Sequence, residues 1–540
     1  MNHSSLVYQL PIMHYFRFLL FLVSVCLASV WAGADESTMT GEQANADSRP
    51  NLLYIFPDQF RLQALGIWSQ PGYDHLLGTP GDPVHTPNLD QLAREGVLFT
   101  QVTSTHPVCS VYRGMFMSGM YPSRNGIQGT NCKLGRSQSL KENIMCLTDV
   151  LHASGYETGY VGKTHWSRPK RLFSKDGTYV GTEKSPGGHI PNTGDIYIPP
   201  GPGRHGNVYW YQLFRNLHFD PLTYSSRPEL VNGKSDGEKY RPRQFTVKLE
   251  ADAVIDFLKN ESEQRDDSKP FSMIWAPNPP HTPYDSIKDC DPKVYQKHYA
   301  DVPADELLVR KNVRPIAPKS KKGGGKRSAA KCAPFYFSNV TSIDEHVGRV
   351  LAALKESGLD KNTIVVFTAD HGEMMGSHGM MTKNVIYNES FLVPFIICYP
   401  DGIKHRTDDL LLGSVDIMPT LLGMMGLSER CPESVNGFDY SAGVLTGNYE
   451  QRKKPNSALY LHPSRKGLRT DRYTYQVDQD GKTELYDHLA DPYQLTNLPI
   501  EAIDTVDLQQ IQSELGRWLH RAGDRWATKR QHTELISYPK

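Results

Sequence analysis

The feature that most constrains the fold is a set of short apolar runs that each give way abruptly to charged side chains. "NLLYIF" at 51–56 runs into Pro57-Asp58-Gln59, and "NTIVVFTADHGE" ends in Asp370-His371. "ETGYVGKTHW" delivers Lys163 and His165, and "FSMIWAPNPPHTPY" passes into a proline-rich loop at His281. Continuous apolar runs of this length read as strands buried on both faces. Helical patterns lie between them. "TPNLDQLAREG" has Thr86 as N-cap, Pro87 at the first position and Gly96 at the stop, and residues 141–154, 245–259 and 340–357 carry helical patterns as well. Strands alternating with helices predict an α/β fold: a large, mostly parallel sheet sandwiched by helices. Ligands of such sheets bind just beyond the carboxyl ends of the strands. Asp58, Lys163, His165, His281, Asp370 and His371 all fall there.

After about residue 450 the pattern changes. "KGLRTDRYTYQVDQDGKTELYDH" predicts an antiparallel hairpin turned at Asp480-Gly481, and "LQQIQSELGRWLHRAGD" a terminal amphipathic helix. The expected domains are a catalytic α/β domain at 50–450 and a smaller C-terminal α+β subdomain at 451–540. The basic, glycine-rich "KSKKGGGKRSAAK" at 319–331 is expected to be a flexible surface insertion.

The N-terminus has its own logic. A weakly basic region ends at Arg17, an apolar run spans Phe18 to about Ala28, and Ala32-Gly33-Ala34 follows. This predicts a signal peptide over 1–34, cleaved after Ala34, and a polar, disordered linker over 35–49. The run is short for a membrane span, so the mature protein is expected to be exported, periplasmic or secreted, without stable membrane insertion. Formal net charge is zero, and nothing global points to nucleic acid. Eight cysteines in 540 residues are too few for a disulfide scaffold. Loss of Cys26 with the signal peptide would leave an odd number, a hint that one thiol serves another purpose.

The chemistry gathers at two strand ends. Adjacent strands would bring Asp58-Gln59 and Asp370-His371 together, and two carboxylates, an amide oxygen and an imidazole can hold a divalent cation. Oxygen-rich ligation favours Ca²⁺ or Mg²⁺, and the imidazole leaves Mn²⁺ or Zn²⁺ open. Cys109, in "HPVCSVYRG", reads as the start of a short helix with Arg113 one turn on. Both features favour an anionic or hydrated polar group at residue 109.

From about residue 50 to 525 the chain resembles the type I sulfatases of the alkaline phosphatase superfamily. The matching pieces are "RPNLLYIFPDQ", "PVCSVYRGMFMSGMYPSRNG", "LHASGYETGYVGKTHW", "NPPHTPYD", "SIDEHVGRVLAALKESGLDKNTIVVFTADHGEMMGSHG", "KNVIYNESFLVPFIICYP" and "LRTDRYTY...ELYDHLADPYQLTNL". The resemblance implies that a maturase partner oxidises Cys109 to formylglycine, whose hydrated aldehyde is the nucleophile. It implies that Asp58, Gln59, Asp370 and His371 hold the metal and that Arg113 orients the hydrated aldehyde. Lys163 and Lys383 would bind sulfate oxygens. His165 would assist release of sulfate, and His281, with Lys383, would protonate the leaving alcohol. His378, in "GSHG", would be structural. The implied activity is hydrolysis of a sulfate ester, with a sulfated carbohydrate as the expected substrate.

Two positions depart from the family pattern. The usual maturation motif is Cys-x-Pro-x-Arg or Cys-x-Ala-x-Arg, and here the third position is Val111. A β-branched residue suits an extended peptide but lacks the fixed φ of proline, so conversion of Cys109 is open. An unconverted protein would be a non-catalytic binder of sulfated glycans. Gln59 replaces the second aspartate of many members. Related phosphorus-ester enzymes share the architecture, which keeps open a formylglycine-dependent phosphonate monoester hydrolase or phosphodiesterase.

Overall fold

Strand β1 (Asn51–Ile55) is the middle strand of the larger sheet, and all of its residues are buried. It pairs in parallel with β6 (Phe271–Ala276) on one side and β7 (Thr363–Thr368) on the other, so that Leu52 faces both Ser272 and Ile364. Burial on both faces explains why these runs are apolar without alternation. Around them, β2 (Val97–Phe99), β3 (Glu157–Gly162), β4 (Tyr209–Leu213), β5 (Thr223–Ser225), β8 (Phe395–Cys398) and β9 (Arg406–Asp408) complete a nine-stranded sheet in the order β5-β4-β3-β6-β1-β7-β8-β2-β9. Only β4–β5, β7–β8 and β2–β8 pair antiparallel. The expected large, mostly parallel sheet flanked by helices is present.

This computed structural model describes residues 49–129, 138–167, 196–214, 217–314 and 328–525. The expected signal peptide, the linker up to residue 48 and residues 319–327 of the basic segment lie outside the described residues. No helix among the described residues is long and apolar enough to cross a membrane.

Helix α1 (Pro87–Glu95) starts and stops where expected, but Thr86 does not cap it. Its hydroxyl donates to Asp90 and accepts from the Gly66 amide. The exposed amides of the first turn are taken by Asp344, whose carboxylate accepts from Asn88 and Leu89 at 3.3 and 2.7 Å. Asp344 belongs to a helix spanning Ala329–Glu356, longer than the expected 340–357. Ala329, Ala330 and Lys331, expected in the flexible insertion, form its first turn instead. Strong helix formers here lead into the buried Cys332 and Ala333, so the segment gains both propensity and burial by being helical.

Helices α2 (Cys109–Ser118), α3 (Pro122–Asn125) and α4 (Leu147–Ala153) follow β2 along the chain. The expectation of a helix from residue 141 is overturned. Asp149 accepts from the Cys146 amide at 2.9 Å in a capping box, which fixes the start at Leu147. Helix α5 (Thr246–Lys259) presents Val247, Ala251, Val254, Phe257 and Leu258 to the core. Truncating such a buried aromatic as Phe257 to alanine costs about 3–5 kcal/mol.

A second, antiparallel sheet occupies the C-terminal region. It is a meander of β10 (Ser457–His462), β11 (Arg465–Thr470), β12 (Tyr473–Asp478) and β13 (Thr483–Asp487). The expected hairpin is β12–β13, with Val477 opposite Thr483 and Gly481 at φ 82° in the turn. The terminal helix runs from Thr505 to Arg521 and packs on β10 and β11. The end of β10 is tied towards the strand-end loops by a hydrogen bond from the Leu461 amide to the Thr105 carbonyl at 2.7 Å.

Candidate active site

The sheet order explains how residues far apart in sequence meet. β3, β6, β1 and β7 are consecutive neighbours, and their carboxyl ends deliver Lys163, His281, Asp58-Gln59 and Asp370-His371 in that order. Two glycines make the approach possible. Gly162 ends β3 at φ 115°, and a Cβ there would lie 2.3 Å from the Ala276 carbonyl oxygen. A Cβ on Gly372 would lie 2.0 Å from the Glu389 carbonyl oxygen. Neither backbone would follow its path with a side chain.

Cys109 is the first residue of α2, with its side chain at the positive end of the helix dipole. Its Sγ lies 3.6 Å from Asp58 Oδ1 and 3.2 Å from His371 Nε2. Ligand atoms of Asp58, Cys109, Asp370 and His371 all lie within 4.8 Å of one another, and all four residues are buried. The four-residue spacing puts Arg113 on the same face of α2 as Cys109. Arg113 donates to Asp58 and Asp370 at 3.3 and 3.1 Å and to the Lys163 carbonyl at 2.5 Å, while its guanidinium stacks over Phe56 at 4.7 Å. The Lys163 ammonium is hydrogen-bonded to Asp58, and His281 Nε2 stands 3.9 Å from the same carboxylate.

This is the arrangement expected of a sulfatase, and the comparisons with known proteins agree. The Sulfatase family model matches residues 50–427, and a model described as N-sulphoglucosamine sulphohydrolase, C-terminal, matches 376–524. An endo-4-O-sulfatase of Bacteroides thetaiotaomicron is 36% identical over 94% of this chain and 98% of its own. The chain belongs to the sulfatase family. An ulvan-active sulfatase of Formosa agariphila is 28% identical over 96% of this chain and 90% of its own. A solved structure from work on glycosaminoglycan metabolism by Bacteroides thetaiotaomicron superposes with TM-score 0.79 at 35% identity, covering 91% of this chain and all of that one. The protein is a sulfuric ester hydrolase.

The electrostatics of the sulfatase site follow from burying like charges together. Burial and the neighbouring Asp58 raise Asp370 above the usual carboxylate range. Burial would raise Asp58 too, but Lys163, His281, His371 and Arg113 hold it well below. Burial and Asp58 push the Cys109 thiol up, and Lys163, Lys383 and His371 outweigh them, leaving it lowered. Burial and the lysines Lys383 and Lys163 depress His281 well below the usual imidazole range. Two buried carboxylates beside an imidazole form a donor set that suits a hard divalent cation, and the sulfatase residues fit one.

Gln59 and Lys383 join the site through each other. Lys383 Nζ donates to Gln59 Oε1 at 2.5 Å, and the Gln59 backbone N–H donates to Asp370 at 3.0 Å. Gln59 sits at φ 69°, in the left-handed region. His165, two residues beyond Lys163, is also buried and left-handed, at φ 55°. His378 stacks on Tyr387 at 3.8 Å and pairs with Asn312, a packing role.

Sequence reasoning missed Glu373. Its carboxylate accepts from Gln59 Nε2, from Tyr284 at 2.8 Å, and from the amides of Met375 and Thr382 at 2.9 and 2.6 Å. A buried carboxylate two residues beyond His371, in "DHGE", was the available signal. It also missed Ser104, whose hydroxyl donates to the Asp370 carbonyl at 2.6 Å and pins that loop.

Proposed function

We propose that this sulfatase is exported and removes an O-sulfate ester from a sulfated polysaccharide, with Cys109 converted to formylglycine. The reading is carried by Cys109, which meets Asp58 and His371 at 3.6 and 3.2 Å in a buried cluster. The 36% identity to an endo-4-O-sulfatase supports a saccharide substrate sulfated at a ring hydroxyl. The apolar run Phe18 to Ala28 followed by Ala32-Gly33-Ala34 supports export.

Ca²⁺ fits the oxygen-rich donors best, with Mg²⁺ or Mn²⁺ as alternatives, and when bound it supplies positive charge for the sulfate oxygens and for residue 109. Formylglycine at 109 supplies the attacking oxygen as its hydrate.

The side chains of the chain do the rest. Asp58, Gln59, Asp370 and His371 hold the cation. Arg113 keeps residue 109 and both carboxylates in register. Lys163 and Lys383 set compact positive charges against the sulfate. His281 pairs its Nδ1 with the Thr282 carbonyl at 2.8 Å, which leaves Nε2 as the nitrogen that exchanges a proton with the leaving alcohol. A bound sulfate beside His281 raises its proton affinity, which readies it as the acid. His165 serves release of sulfate.

The test is intact-mass analysis of the peptide spanning Cys109 from protein co-expressed with a maturase, run beside turnover of defined sulfated saccharides. Conversion of Cys109 with sulfate release supports the reading. Turnover by protein whose residue 109 remains cysteine overturns the nucleophile, and phosphonate turnover far above sulfate turnover overturns the substrate.

A further inference from the structure

A cleft of about 780 Å³ opens between the loop that leads into Cys109, α3, the β10–β11 turn and the end of the terminal helix. His106, Arg124, His462, Lys466, Asp524 and Arg525 line it. Its volume falls within the range of about 300–1,000 Å³ that encloses small-molecule ligands. The cleft is close to the reacting centre. His106 is three residues from Cys109, so their Cα atoms are at most about 11 Å apart.

Three observations suggest what enters it. First, the cleft is cationic. Arg124, Lys466 and Arg525 face a single acid, Asp524, which is paired with Lys466 at 2.6 Å. Second, Arg124 is exposed, and its guanidinium has no acidic partner among the described residues. Third, His106 is only 4% exposed, lines the cleft, and has no side-chain hydrogen bond among the described residues. Burial, with Lys466 and His462 nearby, lowers it to about 3. A neutral imidazole offers one donor and one acceptor, the complement of a hydroxyl group.

We infer that this cleft is a saccharide subsite for the sugar next to the one whose sulfate is cleaved, with His106 taking a ring hydroxyl and Arg124 its carboxylate or sulfate. The inference rests on the polysaccharide reading above and extends it. The C-terminal sheet supplies part of the substrate site, and chain length along the glycan becomes a determinant of rate. Arg124 suits the task because its planar fork pairs with either anion.

The experiment compares wild type with Arg124→Gln on two substrates, a 4-O-sulfated glycosaminoglycan tetrasaccharide and 4-nitrocatechol sulfate, which is too small to span both positions. The tetrasaccharide-to-aryl ratio of kcat/KM falls about tenfold in the variant, and the gap narrows as salt rises. Calorimetry of tetrasaccharide binding to His106→Ala, at a melting temperature checked against wild type, shows weakened affinity. An unchanged ratio in Arg124→Gln, while wild type desulfates the tetrasaccharide, overturns the subsite alone. Wild type that hydrolyses the aryl ester and no sulfated saccharide overturns the polysaccharide reading and the subsite with it.

Discussion

Glu373 fixes the orientation of the Gln59 amide. A carboxylate only accepts, so the atom facing Glu373 is Nε2, and Oε1 is left to receive Lys383 at 2.5 Å. This relationship gives position 59 a neutral amide backed by a carboxylate, where the family resemblance implies an aspartate. The negative charge absent from residue 59 stands one step back, on Glu373.

Glu373→Ala is therefore expected to weaken divalent-cation affinity about tenfold to a hundredfold, measured by calorimetry on metal-stripped protein. Gln59→Asp alone sets two carboxylates side by side and is expected to weaken binding as well. Adding Glu373→Gln to Gln59→Asp removes the clash and restores affinity. Additive losses in the double variant would show that the two side chains act independently.

The Glu373 contact also marks what the sequence could not reveal. The strand ends were legible because each apolar run is buried on both faces and stops where charged and polar side chains begin. Adjacency of β1 and β7 could be posed as a condition, and the structure meets it. Glu373 was not legible, because nothing in "DHGE" says that the carboxylate turns back to residue 59 rather than outward. Helix starts at Leu147 and Ala329 were missed for a related reason. Each is decided by a local cap or by burial of the next turn, which apolar periodicity does not encode. His106 was legible only as a loop residue beside Cys109 that could line a pocket, since its neighbours in the cleft come from β10 and β11, more than 350 residues later in the chain.

Arg113 bridges Asp58 and Asp370, and this gives a prediction that separates charge from geometry. Arg113→Lys keeps the charge and loses the two-pronged contact, so kcat is expected to fall about a hundredfold through misplacement of residue 109. Arg113→Met leaves two buried carboxylates without their shared partner and is expected to cost about 3–5 kcal/mol of stability. Because a divalent cation would neutralise the same carboxylates, Ca²⁺ should raise the melting temperature of Arg113→Met more than that of wild type. Equal shifts in the two proteins would mean that the cation does not bind at the carboxylates Arg113 bridges.

Val111 is fully buried in the first turn of α2, and its amide donates to the Val108 carbonyl at 3.0 Å. Val111→Ala gives the Cys-x-Ala-x-Arg form that the family resemblance implies, without removing that donor. The fraction of residue 109 converted by a co-expressed maturase is expected to rise, read by mass spectrometry, while rate per converted site stays the same. The shortened side chain leaves a small cavity, so the melting temperature should fall slightly even as specific activity rises. No gain in conversion would show that Val111 does not limit maturation.

Glu389 gives the clearest pH dependence outside the site. Its carboxylate accepts from Arg310 at 3.1 and 2.9 Å and from Asn312 at 2.6 Å, with all of these side chains buried. Burial alone would raise it, but Arg310 and Asn312 bring it down to about 2. The unfolded chain titrates near 4.3, so the native state holds fewer protons in between. Stability from this group is then fully present above about 4.3 and lost as pH falls through about 2. The gap in pKa corresponds to about 3 kcal/mol. Glu389→Gln removes the titration, so the stability difference between wild type and variant is expected to be constant from pH 7 to 5 and to shrink steadily below about 4.3. Urea unfolding at each pH measures it. A difference that stays level down to pH 3 would mean that the pair with Arg310 does not hold the Glu389 carboxylate in its charged form.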